Sequence, residues 1–212
     1  MSGQAKVLVL TGGIGAGKST AVAAFIRRGV PTLDADDLSH RLTQRGGEAL
    51  EEIRATWGPG VISSDAGLDR AAMRDLVFRD PAARRTLESI LHPKIQALAA
   101  SAFAACNAPY MVYVVPLWFE VHGHHRPPWV WRIASITAPL AERRRRVAER
   151  SPMPDDVLDN ILSHQVNDET RRLGSDDLLA NDGPPDMLDH AIGRLHAQLQ
   201  RHATDHSHPD QT

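Results

Sequence analysis

The sequence predicts an α/β fold: a three-layer α/β/α core with a mainly parallel sheet, a helical insertion and a short helical lid. Three observations carry this expectation. A short apolar run, residues 7–10, feeds a glycine-rich turn and then a helix-forming stretch. Further apolar runs of strand character recur at 30–33, 110–115 and 130–137, with helical patterns between them. From about 37 to 104 the pattern is helical without a strand, so this stretch reads as an insertion into the layered core. The expected division is core at 1–36, 105–139 and 170–203, insertion at 37–104, lid at 140–169 and a polar, disordered tail at 204–212.

The first element carries the chemistry. Residues 6–20 read KVLVLTGGIGAGKST, which satisfies G-x-x-x-x-G-K-[ST] with Gly12 and Gly17 as the fixed glycines. Glycines let backbone N–H groups curl around phosphate oxygens without Cβ clashes. The helix opening at Lys18 aims its positive end at the same place. Gly12, Gly13, Ile14, Gly15, Ala16, Gly17, Lys18, Ser19 and Thr20 are therefore expected to bind ATP. Lys18 would reach the β and γ phosphates, and the Ser19 hydroxyl would ligate Mg2+. The dinucleotide pattern G-x-G-x-x-G is not met, because Lys18 stands where its last glycine should be. That favours a nucleoside triphosphate over NAD.

The helix should run to about Arg28, with Gly29 as its C-cap. The strand at 30–33 then delivers Asp34-Ala35-Asp36 at its carboxyl end. Within the insertion, helices are expected at 37–43, 48–57, 69–78 and 81–104, with Pro93 kinking or breaking the last near His92. After the strand at 110–115 come Pro116-Leu117-Trp118-Phe119-Glu120 and a loop rich in His and Pro, 122–128. Helices follow the strand at 130–137, at 140–150 and 155–165. An edge strand at 177–179 and a closing helix at 184–202 complete the chain.

Composition narrows the function. The 212 residues are 42% hydrophobic, enough for a buried core, and the formal net charge of -2 gives no global pull toward nucleic acid or anionic membrane. The single cysteine, Cys106, cannot form an internal disulfide and reads as a buried structural thiol in a reducing compartment. No signal peptide or transmembrane-length segment is visible, so a soluble cytoplasmic protein is expected. The N-K-x-D guanine signature is absent, and the strand at 110–115 ends in Pro116 rather than in the Asp expected of a motor ATPase.

Phosphoryl transfer to an alcohol benefits from a carboxylate that accepts the hydroxyl proton, and Mg2+ from carboxylates or the waters they hold. Asp34 and Asp36 are the candidates; spacing does not say which is the base and which caps the next helix. Arg143, Arg146 and Arg150 fall at i, i+3 and i+7 on one helix face, suited to a lid that neutralises the transferring phosphoryl group. A solvated charged face is the alternative. His122, His124 and His125, and His202, His206 and His208, lack cysteine or carboxylate partners at ligand spacing and are expected to be exposed rather than metal-bound.

These motifs in this order resemble the dephospho-CoA kinase family, from about Lys6 to His202. The resemblance rests on the phosphate loop from Thr11 to Ser19, Asp34-Ala35-Asp36, Gly67-Leu68-Asp69-Arg70, Val77-Phe78 and Leu91-His92-Pro93. It also includes Pro116-Leu117-Trp118-Phe119-Glu120, with Trp118 replacing a leucine, together with Gln165 and Asn181. It implies ATP-dependent phosphorylation of the ribose 3′-hydroxyl of dephospho-CoA. It makes Asp36 the base, Arg146 the lid arginine, and Thr11, Asp34, Arg70 and His92 acceptor-site residues. The family's lid glutamine is Arg143 here, placed among the ATP contacts. Expected partners are ATP and dephospho-CoA, with neither nucleic acid nor membrane, in a monomer or small homo-oligomer. The rival readings are another small-molecule kinase of this fold, acting on a nucleotide or small alcohol, and a non-catalytic ATP-binding regulator.

Overall fold

A computed structural model describes residues 5–205. The chain forms two compact units, one continuing through Leu33 and resuming at Cys106, the other Asp34–Ala105. In the first unit a five-stranded sheet has the order β2-β3-β1-β4-β5. Its strands are β1 (Lys6–Gly12), β2 (Thr32–Asp34), β3 (Tyr110–Val114), β4 (Val130–Thr137) and β5 (Asp177–Ala180). Strand β1 pairs in parallel with β3 and β4, and β4 with β5.

Alternation along β1 explains the layering, because successive side chains of a strand point to opposite faces. Leu8 and Leu10 join one core with Ala21 and Phe25 of α1 (Lys18–Arg27) and Leu188, Ile192 and Leu199 of α10 (Pro185–Asp205). Val9 turns the other way and packs with Trp118 and Phe119 of α6 (Trp118–His122) and with Ile133. Helices therefore cover both faces. Leu8, Val9, Leu10, Phe25 and Ile192 are fully buried, each contributing about 1.5–3 kcal/mol of apolar transfer.

A guanidinium clasp ties α1 to α10. Both terminal nitrogens of Arg28 donate to the Asp189 carboxylate, at 2.9 and 2.7 Å, and Arg27 Nη2 donates to the same group at 2.6 Å. These bonds, Arg28 first and Arg27 second, hold the Asp189 carboxyl well below the usual carboxylate range. A depressed folded pKa contributes stability that is full above the unfolded-chain value near ~4 and is lost progressively as pH falls from there through the folded pKa. The stability difference between the wild type and Asp189→Asn should thus be largest at neutral pH and shrink below about pH 4. Urea midpoints of both proteins across that range check this.

The second unit is helical: α2 (Ala35–Thr43), α3 (Leu50–Trp57), α4 (Arg70–Arg79) and α5 (Pro81–Ala105). Ile53, Met73 and Ile90 form its core with Leu42, Ala49 and Val61. Two caps set its helix starts. Asp34 Oδ1 accepts the Asp36 amide at 2.8 Å, and Asp69 Oδ1 accepts the Ala71 and Ala72 amides.

Several expectations change. Pro93 does not break its helix: α5 continues through it for 25 residues. Proline removes one i→i−4 hydrogen bond, while Leu87, Ile90, Leu91, Ile95 and Leu98 pack into one core on both sides of it. Cys106 lies just past α5 and is half-buried, so it is neither helical nor fully enclosed. His122 is half-buried rather than exposed and stacks on Trp118 with ring centroids 4.1 Å apart. Helix α10 extends to Asp205, so residues 204 and 205 are helical. His206, His208 and the rest of the expected tail lie outside the described residues. No described helix is long and apolar enough to cross a membrane.

Candidate functional site: a phosphate loop held from outside

Between β1 and α1 the backbone turns through residues 13–17. Gly15 adopts φ +73°, a left-handed conformation, and a Cβ there would sit 2.9 Å from the Arg143 Cα. No other residue satisfies both demands. Gly17, at φ 109°, is the N-cap of α1, so the first amides of the helix face the turn. Lys18 Nζ donates to the Gly12 and Gly13 carbonyls at 2.6 and 3.1 Å. Ser19 and Thr20 are exposed beside it. Thr11 is 1% exposed and its hydroxyl donates to the Pro116 carbonyl at 3.2 Å, joining β1 to the segment after β3.

The arginine helix, α7 (Leu140–Arg150), lies against this turn. Arg143 is buried; its Nε donates to Ile14 O at 2.9 Å and its Nη2 to Gln165 Oε1 at 3.1 Å. Gln165 Oε1 also accepts the Ile14 amide at 3.0 Å. Arg146 Nη2 donates to Asn181 O at 3.0 Å and Nη1 reaches Ala16 O at 3.5 Å. Asn181 Nδ2 donates to the same Ala16 carbonyl at 2.8 Å. The sequence pattern placed Arg143 and Arg146 on one face, and the fold turns that face onto the loop backbone. Arg150, the third member, is exposed. Burial pulls the Arg143 pKa below its ordinary value, with Asp168 opposing and Arg171 adding to that shift.

Behind this lies a second polar layer. Arg171, on α9 (Asp168–Gly174), is 1% exposed and donates to Glu120 Oε1 and Asp168 Oδ1, each at 3.1 Å. Glu120 Oε1 also accepts the Val166 amide at 3.0 Å, fixing the chain next to Gln165. Helix α9 was not anticipated. In the sequence Gln165 and Asn181 stand only in the motif order and carry no site role. No local pattern could have revealed that the two converge on Ile14 and Ala16, since each lies more than 100 positions away in the chain.

In the helical unit, Asp34 holds the start of α2, while Asp36 lies exposed in its first turn. Arg70 Nη2 donates to Thr43 Oγ1 at 3.0 Å and lies 2.7 Å from His40 Nδ1. His40 was not anticipated; its signal was its position four residues after Asp36 on the same helix. His92 is exposed on α5.

Mg2+ accompanying a triphosphate takes most of its ligands from phosphate oxygens and water, with few from protein. The exposed Ser19 hydroxyl at the second position of α1 fits that requirement. Among the described residues no group of three or more His, Cys, Asp or Glu is placed to hold a metal ion by itself.

Comparison with known proteins gives one consistent result. A family model described as dephospho-CoA kinase matches residues 6–186. The dephospho-CoA kinase of Aromatoleum aromaticum is 41% identical over 189 residues, covering 89% of this chain and 91% of its own. That of Ralstonia nicotianae is 38% identical over 205 residues, covering 93% of this chain and 100% of its own. Among solved structures, a Thermus thermophilus protein superposes with TM-score 0.79 at 30% identity, over 93% of this chain and 99% of its own. The dephospho-CoA kinase from Campylobacter jejuni has TM-score 0.65 at 18% identity, over 92% of this chain and 98% of its own, and supports the fold alone. Because the match spans the phosphate loop, the acidic pair, the helical unit and the loop-binding arginines, the chain belongs to the dephospho-CoA kinase family.

Proposed function

We propose that the chain works as its family does, transferring the γ-phosphoryl group of ATP to the ribose 3′-hydroxyl of dephospho-CoA, with Asp36 as the base. The observation that carries the reading is the complete phosphate loop, its carbonyls bonded from outside by Arg143, Arg146 and Asn181. With these carbonyls satisfied on the outer side, and the Ile14 amide held by Gln165, the helix-start amides after Gly17 are the ones that face an anion.

In this reading the helix-start amides from Lys18 to Thr20, with Gly15 and Gly17, hold the phosphates, and Lys18 exchanges its carbonyl partners for phosphate oxygens. The Ser19 hydroxyl would hold Mg2+ together with the nucleotide, and the ion would supply charge neutralisation on the phosphates when bound. Asp34 fixes the start of α2, leaving Asp36 to accept the hydroxyl proton as the new O–P bond forms and the γ-phosphorus bond to the bridging oxygen breaks, releasing ADP. Arg70, steadied by Thr43 and His40, and the exposed His92 are assigned to the acceptor, as are Asp34 and Thr11. Arg146 is assigned to stabilising the transferring charge, which requires its guanidinium to leave Asn181 O. A helical unit built around its own core suits an acceptor-binding part, and a cytoplasmic location suits the chemistry.

The test is an assay of ADP formation with ATP, Mg2+ and a panel of alcohol acceptors. Dephospho-CoA should exceed nucleoside and sugar acceptors in kcat/KM by about 10,000-fold, the discrimination expected of a site built to hydrogen-bond its substrate. A better nucleotide or sugar acceptor would point to a different small-molecule kinase. ADP formation with none would point to a non-catalytic binder.

A further inference from the structure

We propose that Gln165 is a positioning residue for ATP binding, acting with Arg143 as a clamp that fixes the Ile14 peptide on the outer side of the phosphate loop. The inference rests on the reading that this loop binds ATP. It assigns Arg143 to the protein's own backbone rather than to the nucleotide.

The geometry is a closed triangle. The Ile14 amide donates to Gln165 Oε1 at 3.0 Å, and the Ile14 carbonyl accepts from Arg143 Nε at 2.9 Å. Arg143 Nη2 donates to that same Gln165 oxygen at 3.1 Å. Both backbone groups of one loop residue are thus held by side chains that also hold each other. A carboxamide oxygen has two lone pairs, and here Ile14 and Arg143 use both. Gln165 Oε1 is therefore fully engaged by the loop and by Arg143.

The flanking glycines fit the clamp as well as the anion. A Cβ at residue 13 would fall 2.7 Å from Arg143 Cζ and 3.0 Å from Gln165 Oε1. Behind the clamp, Glu120 Oε1 binds the Val166 amide and the buried Arg171, so the backbone beside Gln165 is itself fixed.

The chemistry explains a glutamine at this position. The clamp needs an acceptor for two donors, one of them a cation, close to where a polyanion binds. A carboxylate would accept both bonds but would place a negative charge near the phosphates. An apolar side chain would leave Ile14 N–H and a buried guanidinium arm without their acceptor. A neutral amide meets both requirements. A loop held in its binding conformation loses less conformational freedom when ATP arrives, and that saving appears as affinity.

The test compares Gln165→Leu, which removes the acceptor at similar size, with Gln165→Glu, which keeps it. In nucleotide-free full-length protein, hydrogen exchange at the Ile14 amide is followed by NMR. Exchange should be about tenfold faster in Gln165→Leu, the effect of one lost hydrogen bond, and near the wild-type rate in Gln165→Glu. Gln165→Leu should also raise KM for ATP about tenfold while leaving KM for dephospho-CoA within about twofold. An unchanged Ile14 exchange rate in Gln165→Leu would overturn the clamp, as would equal rises in both KM values. Fast exchange in a folded Gln165→Glu would do the same, and that variant decides the matter if Gln165→Leu does not fold. Exchange needs no turnover, so a wild type inactive on dephospho-CoA would count against the assigned reaction and not against the clamp.

Discussion

Asp36→Asn should bind ATP within about twofold of the wild type and turn over about a thousandfold more slowly, the usual contribution of a general base. Asparagine matches aspartate in shape but accepts no proton at neutral pH. Asp36 is exposed in the first turn of α2, so the change removes no packing. It removes only a carboxylate favourable to a helix start, worth about 0.3–1 kcal/mol. Asp34→Asn is the matched control. Asparagine caps a helix as well as aspartate does, so the Asp36 amide keeps its acceptor. Steady-state kinetics with a separate ATP titration tell the two acids apart. An Asp36→Asn enzyme with near-normal kcat would remove this residue from the chemistry.

The second large effect concerns stability. Arg171→Ala should cost about 3–5 kcal/mol, the penalty for leaving a buried carboxylate without its cation. Arg171 is 1% exposed, whereas its partner Asp168 stands half in solvent. The cost therefore centres on Glu120, whose side chain is only 14% exposed and which would keep just the Val166 amide. Urea unfolding measures the loss. The double variant with Glu120→Gln should recover part of it, because the stranded charge is gone. A loss below about 1 kcal/mol would mean that water reaches Glu120 freely.

The parts of this fold that were legible in the sequence are those with strong local causes. The apolar run, glycines and Lys-Ser of residues 6–20 define β1, the turn and α1, and the strand at 130–137 and the helix at 140–150 have the expected bounds. Two short helices escaped for different reasons. Helix α6 has five residues, three of them Trp, Phe and Val, and its apolar content suits strand or helix equally. Helix α9 was readable: Asn167 accepts the Thr170 amide, Asp168 and Glu169 open the helix, and Arg171 and Arg172 close it. That charge order complements the helix dipole. The arginine stripe on α7 shows where local reasoning stops. Periodicity puts Arg143 and Arg146 on one face. Only the packing of α7 against the loop decides that this face meets backbone carbonyls. The acids illustrate a finer limit, since only the observed cap separates Asp34 from Asp36.

The sheet has its shortest strands at its two margins, three residues in β2 and four in β5, against seven and eight in β1 and β4. Strand β5 also begins with Asp177, locked to Arg132 at 2.9 Å. Unpaired strand edges template the addition of foreign chains, and brevity together with fixed charge blunts them. Such margins offer little backbone for a stray strand to zip onto, which protects the protein from fibrous self-association even when it is crowded by its own copies.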